Sequence, residues 1–451
     1  MRPTAKLVLP PSLKPDLFGG HFRSFRRDAT TFLTRLAELG DITSFRMGPI
    51  HGYFVNDPEL IRDVLVVNAH KFKKGRALQR AKSLLGEGLL TNEGEAHLRQ
   101  RRMIQPAFHK ARIEGYARTM TEYATRMSTA WRDGEVRDID KEMMHLTLQI
   151  VAKTLFSANV DDEADEIGAS MTAIVEMFNY LLIPFSEWLQ KLPLPQSRRF
   201  ARARDTLDSV IYRIINERRA SGQDTGDLLS MLLDAQDEDD GSTMTDEQVR
   251  DEALTLFLAG HETTANALTW TWYVLSQNPE KEAAFHAEVD TVLAGRIPTF
   301  DDISQLKYTE AVLAESMRLY PPAWAIGRLS LEEHNLGGYR LPEKSLVLLS
   351  PYITHRDPRF WNEPGHFIPE RWETHSVKEA SQMYTYFPFG GGARRCIGEG
   401  FAWTEGVLLL AALAQKWKLR LIADQKIGMS AMITLRPKFG MKMQCSYRFR
   451  A

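Results

Sequence analysis

The sequence predicts a mainly α-helical chain with small β-sheets, an α+β arrangement. Three observations carry that expectation. Helical periodicity recurs through most of 94–219, and one apolar helical pattern runs unbroken across 245–277. Strand-like segments are few and short. With 43% hydrophobic and 25% charged residues, the composition is that of a globular protein.

Residues 42–55 read as a hairpin, with Phe45, Tyr53 and Val55 on its strands and Gly48-Pro49 at its break. Helices are expected at 94–110, 113–131, 139–155, 166–182 and 197–219. The longest helix starts at Thr245, where Thr245 and Gln248 form a capping box. Asp246 and Glu247 suit the positive end of its dipole, and Asn278-Pro279 stops it. At 1.5 Å per residue it measures roughly 48 Å. Because it is apolar on nearly all sides over 254–275, it must be buried. A strand is expected at 346–349, a strong amphipathic helix at 399–416, and late strands at 418–422, 432–435 and 441–444.

The longest apolar run, 407–414, falls short of the ~18–20 residues of a membrane span, so no transmembrane anchor is expected. The N-terminus shows no signal-peptide core. No linker or repeat divides the chain, which reads as one domain over 1–451. A net charge of −1 argues against nucleic acid as a partner. The acidic runs 161–166 and 234–240 read as solvated loops. Only two cysteines are present, in unlike contexts, which fits a reducing, cytoplasmic setting. Cys445 follows a late strand and is expected to be inert.

Chemistry concentrates in four motifs. The first is the run from Phe389 through Gly390, Gly391, Gly392, Ala393, Arg394, Arg395 and Cys396 to Ile397 and Gly398. Its glycines let backbone approach a flat ligand closely. A cysteine before a helix meets free N–H groups that favour the thiolate, and a thiolate is a strong donor to iron. The segment lacks the third glycine spacing and the Lys-Ser/Thr pair of phosphate loops. The second motif, Ala259-Gly260-His261-Glu262-Thr263-Thr264, lies mid-way along the long helix. A buried glutamate and two threonines are costly there without partners. Gly260 costs ~1 kcal/mol against alanine, which a helix bent around a pocket would explain, and the threonines can bond back to the preceding turn. A zinc-protease helix is excluded, since the second histidine position holds Ala265.

The third motif is Glu315-Ser316-Met317-Arg318, followed later by Pro369-Glu370-Arg371-Trp372. Taken alone, Glu315 and Arg318 read as an exposed ion pair. The fourth runs from Gly94 to Arg102 and places His97 and Arg101 on one helix face.

The first motif resembles the haem-binding signature of the cytochrome P450 superfamily at Phe389, Gly392, Arg394, Cys396 and Gly398, with Ala402 matching the small residue beyond it. The other three motifs resemble the same family and occur in its order. The resemblance implies that haem b lies between the long helix and the Cys-loop helix, with Cys396 as the axial iron ligand. It implies that Glu262 and Thr263 manage water and protons for dioxygen, and that His97, Arg101, Arg328 and Arg394 bind the haem propionates. Glu315, Arg318 and Arg371 would form a buried structural cluster.

The implied activity is hydroxylation of a lipophilic small molecule (fatty acid, terpenoid or polycycle) with dioxygen and two electrons. No flavin or iron–sulfur segment follows the last strands, so a separate ferredoxin- or flavodoxin-type donor with its reductase is expected. Basic residues Arg99, Arg102, Lys110 and Arg395 would steer it. By position, Leu256, Ala259, Ala323, Trp324, Ile326, Met432 and Ile433 are expected at the substrate pocket. The segment 84–90 is an early loop that is pocket or core, and the greasy segment 177–195 is a lid or core. Alternatives are a peroxide-driven or isomerising haem-thiolate enzyme, and a haem-binding sensor or carrier without turnover.

Overall fold

The structure, a computed structural model, describes residues 9–16, 19–181, 194–234 and 243–448. Its strands are β1 (Ile42–Met47), β2 (Ile50–Val55), β3 (Phe72–Lys74), β4 (Val136–Asp138), β5 (Ile326–Ser330), β6 (His334–Leu336), β7 (Tyr339–Leu341), β8 (Leu346–Leu349), β9 (Trp417–Leu421), β10 (Met429–Ala431), β11 (Leu435–Pro437) and β12 (Lys442–Tyr447). Its longer helices are α1 (Gly94–Ile104), α2 (Lys110–Ala130), α3 (Ile139–Phe156), α4 (Ala164–Leu181), α5 (Pro195–Ser221), α6 (Asp246–Gln277), α7 (Pro279–Leu293), α8 (Lys307–Leu319) and α9 (Glu399–Ala414). The expected α+β class holds. Contacts divide the chain into two compact units. The first comprises Met1–Gln79, Arg318–His366 and Thr374–Cys396, and the second Arg80–Met317, Phe367–Glu373 and Ile397–Ala451.

The first unit is built on a five-stranded sheet in the order β1-β2-β8-β5-β3. The hairpin β1–β2 pairs Ile42 with Val55 and Met47 with Ile50, so its turn falls at Gly48-Pro49 as the sequence predicts. Strand β8 runs parallel to β2 and antiparallel to β5. Tyr53, Val55, Leu65, Val347, Leu349 and Phe387 belong to the core cluster of this unit. Strand β5 itself escaped the sequence pattern, because Gly327 and Arg328 interrupt its alternation.

The second unit is organised around α6. Thr245 accepts from the Gln248 amide N–H at 3.2 Å, and Gln248 accepts from the Thr245 N–H at 2.9 Å, completing the capping box. Most residues from Val249 to Leu275 are buried. Helix α3 packs against α6. A Cβ on Gly260 would sit 2.9 Å from Val151 Cγ2 of α3. The glycine thus admits a close helix crossing, and the helix continues through it without a break. Thr269 and Thr271 satisfy their hydroxyls on the carbonyls of Ala265 and Ala267, at 2.8 and 2.7 Å.

Several expectations are corrected. The expected strand at 432–435 is displaced: Met432–Thr434 form the turn of the β10–β11 hairpin, closed by the Met432 N–H on the Thr434 carbonyl at 3.1 Å. Cys445 lies inside β12, opposite Leu419, and burial pushes its thiol up to about 12, which leaves it inert. The acidic run 161–166 is a turn only as far as Glu163, and within it Asp161 is half-buried. It accepts from Arg126 at 2.8 and 3.0 Å and from Gln149 at 2.7 Å, and α4 begins three residues on. Most of the segments 177–195 and 234–240 lies outside the described residues. Among those described, no helix is long and apolar enough to cross a membrane.

Helix α9 also departs from the amphipathic pattern, since every residue from Thr404 to Ala414 is buried. Helices α2, α6 and α7 all pack on it. Its small residues allow that: a Cβ on Gly406 would lie 2.5 Å from Leu313 Cδ2. The enclosure traps Glu405, whose carboxyl oxygens have no hydrogen-bond partner among the described residues. Burial pushes its pKa up to about 8, against a small opposing effect of the Thr264 hydroxyl.

Glu405 therefore stays protonated in the fold at neutral pH while it ionises in the unfolded chain. Between its ordinary value of 4.5 and about 8 the native state holds the extra proton, so stability falls as pH rises. Glu405→Gln removes that dependence. Its stability gain over wild type, measured by urea unfolding, should be near zero below pH 4.5 and rise to about 5 kcal/mol above pH 8. A gain independent of pH would refute the buried-acid account.

Candidate active site

The Cys loop lies in the first unit as far as Cys396. Its backbone is folded on itself: the Cys396 N–H donates to the Phe389 carbonyl at 2.9 Å, and the Arg395 N–H to the Gly392 carbonyl at 3.0 Å. Gly392 has φ +65°, and a Cβ there would fall 2.1 Å from the Leu65 carbonyl oxygen. Only glycine combines that conformation with that approach. A Cβ on Gly391 would strike the Tyr384 ring at 2.5 Å. The loop is thereby clamped between the 63–67 turn and Tyr384. Cys396 is exposed, whereas Cys445 is buried. The chain continues through Gly398, the N-cap residue, into α9.

The second motif lies in the second unit. Helix α6 is buried from Val249 to Leu258, but Ala259 is exposed and Gly260 and Thr263 are half-buried. Beyond this window burial resumes. Thr263 Oγ1 donates to the Ala259 carbonyl at 2.7 Å, which leaves its lone pairs as acceptors. Glu262 points the other way and is 2% exposed. Its Oε1 accepts from the Thr434 hydroxyl and lies 3.5 Å from Arg436 Nε. Asn266 Nδ2 donates to Thr434 Oγ1 at 3.2 Å. Burial raises the Glu262 pKa above its ordinary value, against the lowering influence of Arg436 and Thr434. His261 is fully enclosed and pushed down to about 3 by burial and by Arg436, so it is neutral. Its carbonyl accepts from Thr147 at 3.0 Å.

Thr434, Arg436 and Asn266 went unnoticed in the sequence. Asn266 carries a signal, since it stands one turn after Glu262 in an apolar helix. Thr434 and Arg436 carry none, because only the β10–β11 hairpin brings them to α6.

The basic residues are divided between the units. On α1, in the second unit, His97 is buried and Arg101 half-buried. In the first unit Arg328 sits on β5, between Lys74 of β3 and Val347 of β8, with Arg394 in the short turn before Cys396. Arg328 and Arg394 are both half-buried. Of the expected pocket residues, Leu256 and Trp324 are buried. Ala323, Ile326, Met432 and Ile433 are half-buried and Ala259 is exposed. Trp324 packs 6.5 Å from Phe25, and its carbonyl accepts from Ser350. The 84–90 segment is pinned to α6, with Glu252 accepting from the Leu89 N–H at 2.9 Å and Asp251 from the Glu87 N–H at 2.7 Å.

Glu315 and Arg318 are completely buried, so the exposed-pair reading fails. Glu315 accepts from Arg371 Nε at 2.9 Å, from the Ile368 N–H at 3.0 Å and from Trp372 Nε1 at 3.0 Å. Arg318 donates to the carbonyls of His355, Pro364 and His366 at 2.7, 2.8 and 2.9 Å, with its guanidinium 5.3 Å from the Trp361 ring centre. Each charge is matched by several fixed partners, as burial requires.

An exposed thiol on a glycine-shaped loop suits a soft ligand to iron. The chain belongs to the cytochrome P450 family, whose model matches residues 10–442. It is 44% identical over 411 residues to cyclooctatin synthase of Streptomyces melanosporofaciens, covering 90% of this chain and 89% of that one. It is 38% identical over 403 residues to cyclooctat-9-en-7-ol 5-monooxygenase of the same organism, with 89% and 87% covered. Pentalenene oxygenase of Streptomyces avermitilis is 35% identical over 422 residues, with 92% of each chain covered. The protein is thus a cytochrome P450 monooxygenase with a haem-thiolate cofactor. The residues present fit that cofactor: Cys396 supplies an accessible soft ligand, while the enclosed Cys445, with its thiol held protonated, does not.

The buried ion pair yields a quantitative expectation. Glu315→Gln leaves Arg371 without its counter-charge and should cost about 3 kcal/mol. The midpoint of urea unfolding measures it. A loss under about 1 kcal/mol would mean that the pair is solvated.

Proposed function

We propose that this monooxygenase hydroxylates a terpenoid, with Cys396 as the ligand of haem b and Glu262 and Thr263 as its proton-handling pair. The observation that carries the site assignment is the window at Ala259, Gly260 and Thr263 in an otherwise buried helix, with an enclosed carboxyl directly behind it. The substrate class rests on the relatives named for cyclooctat-9-en-7-ol and for pentalenene. Apolar Leu256, Ala259, Ala323, Trp324, Ile326, Met432 and Ile433 suit a hydrocarbon skeleton, which needs contact area more than polar partners.

When bound, the haem-thiolate group activates dioxygen and delivers one oxygen atom to the substrate. The protein's share is positioning and proton control. Cys396 presents its sulfur from a backbone that cannot relax, because Gly392 is fixed against Leu65. His97, Arg101, Arg328 and Arg394 supply donors for two propionates. Thr263 Oγ1, tied to the Ala259 carbonyl, accepts and holds a proton-bearing group in the window. Burial favours the protonated form of Glu262, and Thr434 fixes the oxygen Oε1.

Electrons come from a redox partner. A small acidic ferredoxin or flavodoxin with its reductase suits the exposed Arg102 and Lys110. The two free cysteines, unlike in burial, fit a reducing cytoplasm. The family match runs through both units, which supports one haem domain over 1–451.

Three measurements test this reading. Reduced, carbon-monoxide-bound Cys396→Ala should lose the red-shifted thiolate absorption; its persistence would exclude Cys396 as the ligand. In wild type, pentalenene or cyclooctat-9-en-7-ol should shift the ferric optical spectrum, and a fatty acid alone doing so would redirect the substrate class. Glu262→Gln should lower kcat by about 10²-fold and divert electrons to peroxide. Full turnover with peroxide and none with reductant and dioxygen would favour the peroxide-driven alternative.

A further inference from the structure

Glu262 is one of three charged or titratable groups brought together by separate elements of the second unit. Arg436, on β11, lies 3.5 Å from Glu262 Oε1 and is 11% exposed in its side chain. Asp140, in the first turn of α3, is half-buried, and its Oδ1 is enclosed with no hydrogen-bond partner among the described residues. Arg436 also packs against α3, with its Nη2 3.9 Å from the Sδ of Met144, which stands one turn beyond Asp140 on the same helix face. The cluster runs from the enclosed Glu262, through Arg436, to the half-buried carboxyl of Asp140.

We propose that Arg436 is a counter-ion shared by Glu262 and Asp140, so that Asp140 sets the protonation of Glu262 and acts as the second proton-holding group of the oxygen-activation site. The inference rests on the role given to Glu262 above. One fixed positive charge in a poorly solvated space balances one carboxylate, and a second is costly. The favoured state is therefore Arg436 charged, one carboxyl ionised and the other protonated.

The groups around Asp140 decide which carboxyl ionises. Burial raises its pKa first, Arg436 lowers it, Asp138 of β4 and Glu262 of α6 raise it, and Lys141 of α3 lowers it, leaving it at about 6. His261, the other titratable neighbour of Arg436, is neutral. At pH 7 Asp140 is thus mostly ionised and holds Arg436, which biases the buried Glu262 toward its protonated, donating form. When Glu262 gives up its proton, Arg436 stabilises the new carboxylate. Asp140, the less buried of the two carboxyls, then takes a proton from water, so the cluster keeps its charge. Passage of that proton from Asp140 to the Glu262 carboxylate restores the starting state, with one proton moved from water to the site. Arg436 is a positioning residue throughout, since a guanidinium does not titrate here.

Asp140→Asn removes one claimant on Arg436. Glu262 should then ionise more readily, its pKa falling by about one unit or more, which is a tenfold change in its ratio of protonated to ionised forms. The test uses the holoenzyme. The infrared C=O stretch of protonated carboxyls is followed against pH, with the Glu262 component identified by its loss in Glu262→Gln. In Asp140→Asn that component should titrate at lower pH, and Asp140→Glu should restore it. Product formed per electron pair should fall at pH 7 in Asp140→Asn and recover in Asp140→Glu. Arg436→Lys, which keeps the charge, should retain the wild-type order of ionisation.

An unmoved Glu262 band in Asp140→Asn overturns the shared counter-ion, as does an unchanged pH profile of coupling. If Asp140→Asn does not hold haem, Arg436→Lys and Arg436→Met decide by the same band: only the neutral variant should raise the Glu262 titration. A band that moves while Glu262→Gln leaves coupling intact would keep the link between the groups and discard the oxygen-handling role instead.

Discussion

The burial of α6 is the constraint on which the rest of the second unit depends. A helix of this length, enclosed from Val249 to Leu258 and again past Thr264, shows almost no backbone or side chain to water. A polar group it carries is costly unless answered from a neighbouring element or from its own preceding turn, and among the described residues Thr255 Oγ1, Trp272 Nε1 and both ring nitrogens of His261 go unanswered. Thr263, Thr269 and Thr271 answer themselves through carbonyls one turn back. Glu262 cannot do so, and it recruits Thr434 and Arg436 from a hairpin more than 170 residues away in sequence, since 434 minus 262 is 172. Asp251 and Glu252 go further and fasten the 86–90 backbone to the helix. The chemistry of the helix is therefore inseparable from the packing around it.

The first unit solves a different problem. There the requirement is a backbone held in a shape that only glycine tolerates, so that one thiol stays accessible. The sheet supplies the rigidity, Leu65 and Tyr384 supply the walls, and the Phe389 carbonyl closes the loop over the Cys396 N–H. The buried Arg318 belongs to this unit too and satisfies three backbone carbonyls of the 355–366 stretch. A stretch without regular structure would otherwise carry unpaired acceptors in the interior.

What the sequence revealed follows from how local each signal is. The capping box at Thr245, the hairpin at Gly48-Pro49 and the glycine-cysteine loop are written within a few residues of each other, and all were legible. The amphipathic reading of α9 failed because three helices cover it, and a local pattern holds no count of neighbours. The late strand at 432–435 was misplaced because β-branched Ile433 and Thr434 occupy a turn there. Within the candidate site, Cys396, Glu262 and Thr263 were named from spacing and resemblance. Thr434 and Arg436 were not, because nothing in a linear pattern says that a turn threonine and a hairpin arginine converge on one carboxylate.

The β10–β11 hairpin has a consequence for anyone reshaping this protein. Met432 and Ile433 form its tip, and Thr434 and Arg436 follow on the same short ribbon. A library that varies the tip to admit a new scaffold also moves the anchor of the buried acid, one residue away. Under the proposed function, selectivity and electron economy would thus be written on the same few residues. Variants chosen only for accepting a bulkier molecule would leak reducing power, unless 434 and 436 are held constant while the tip is redrawn.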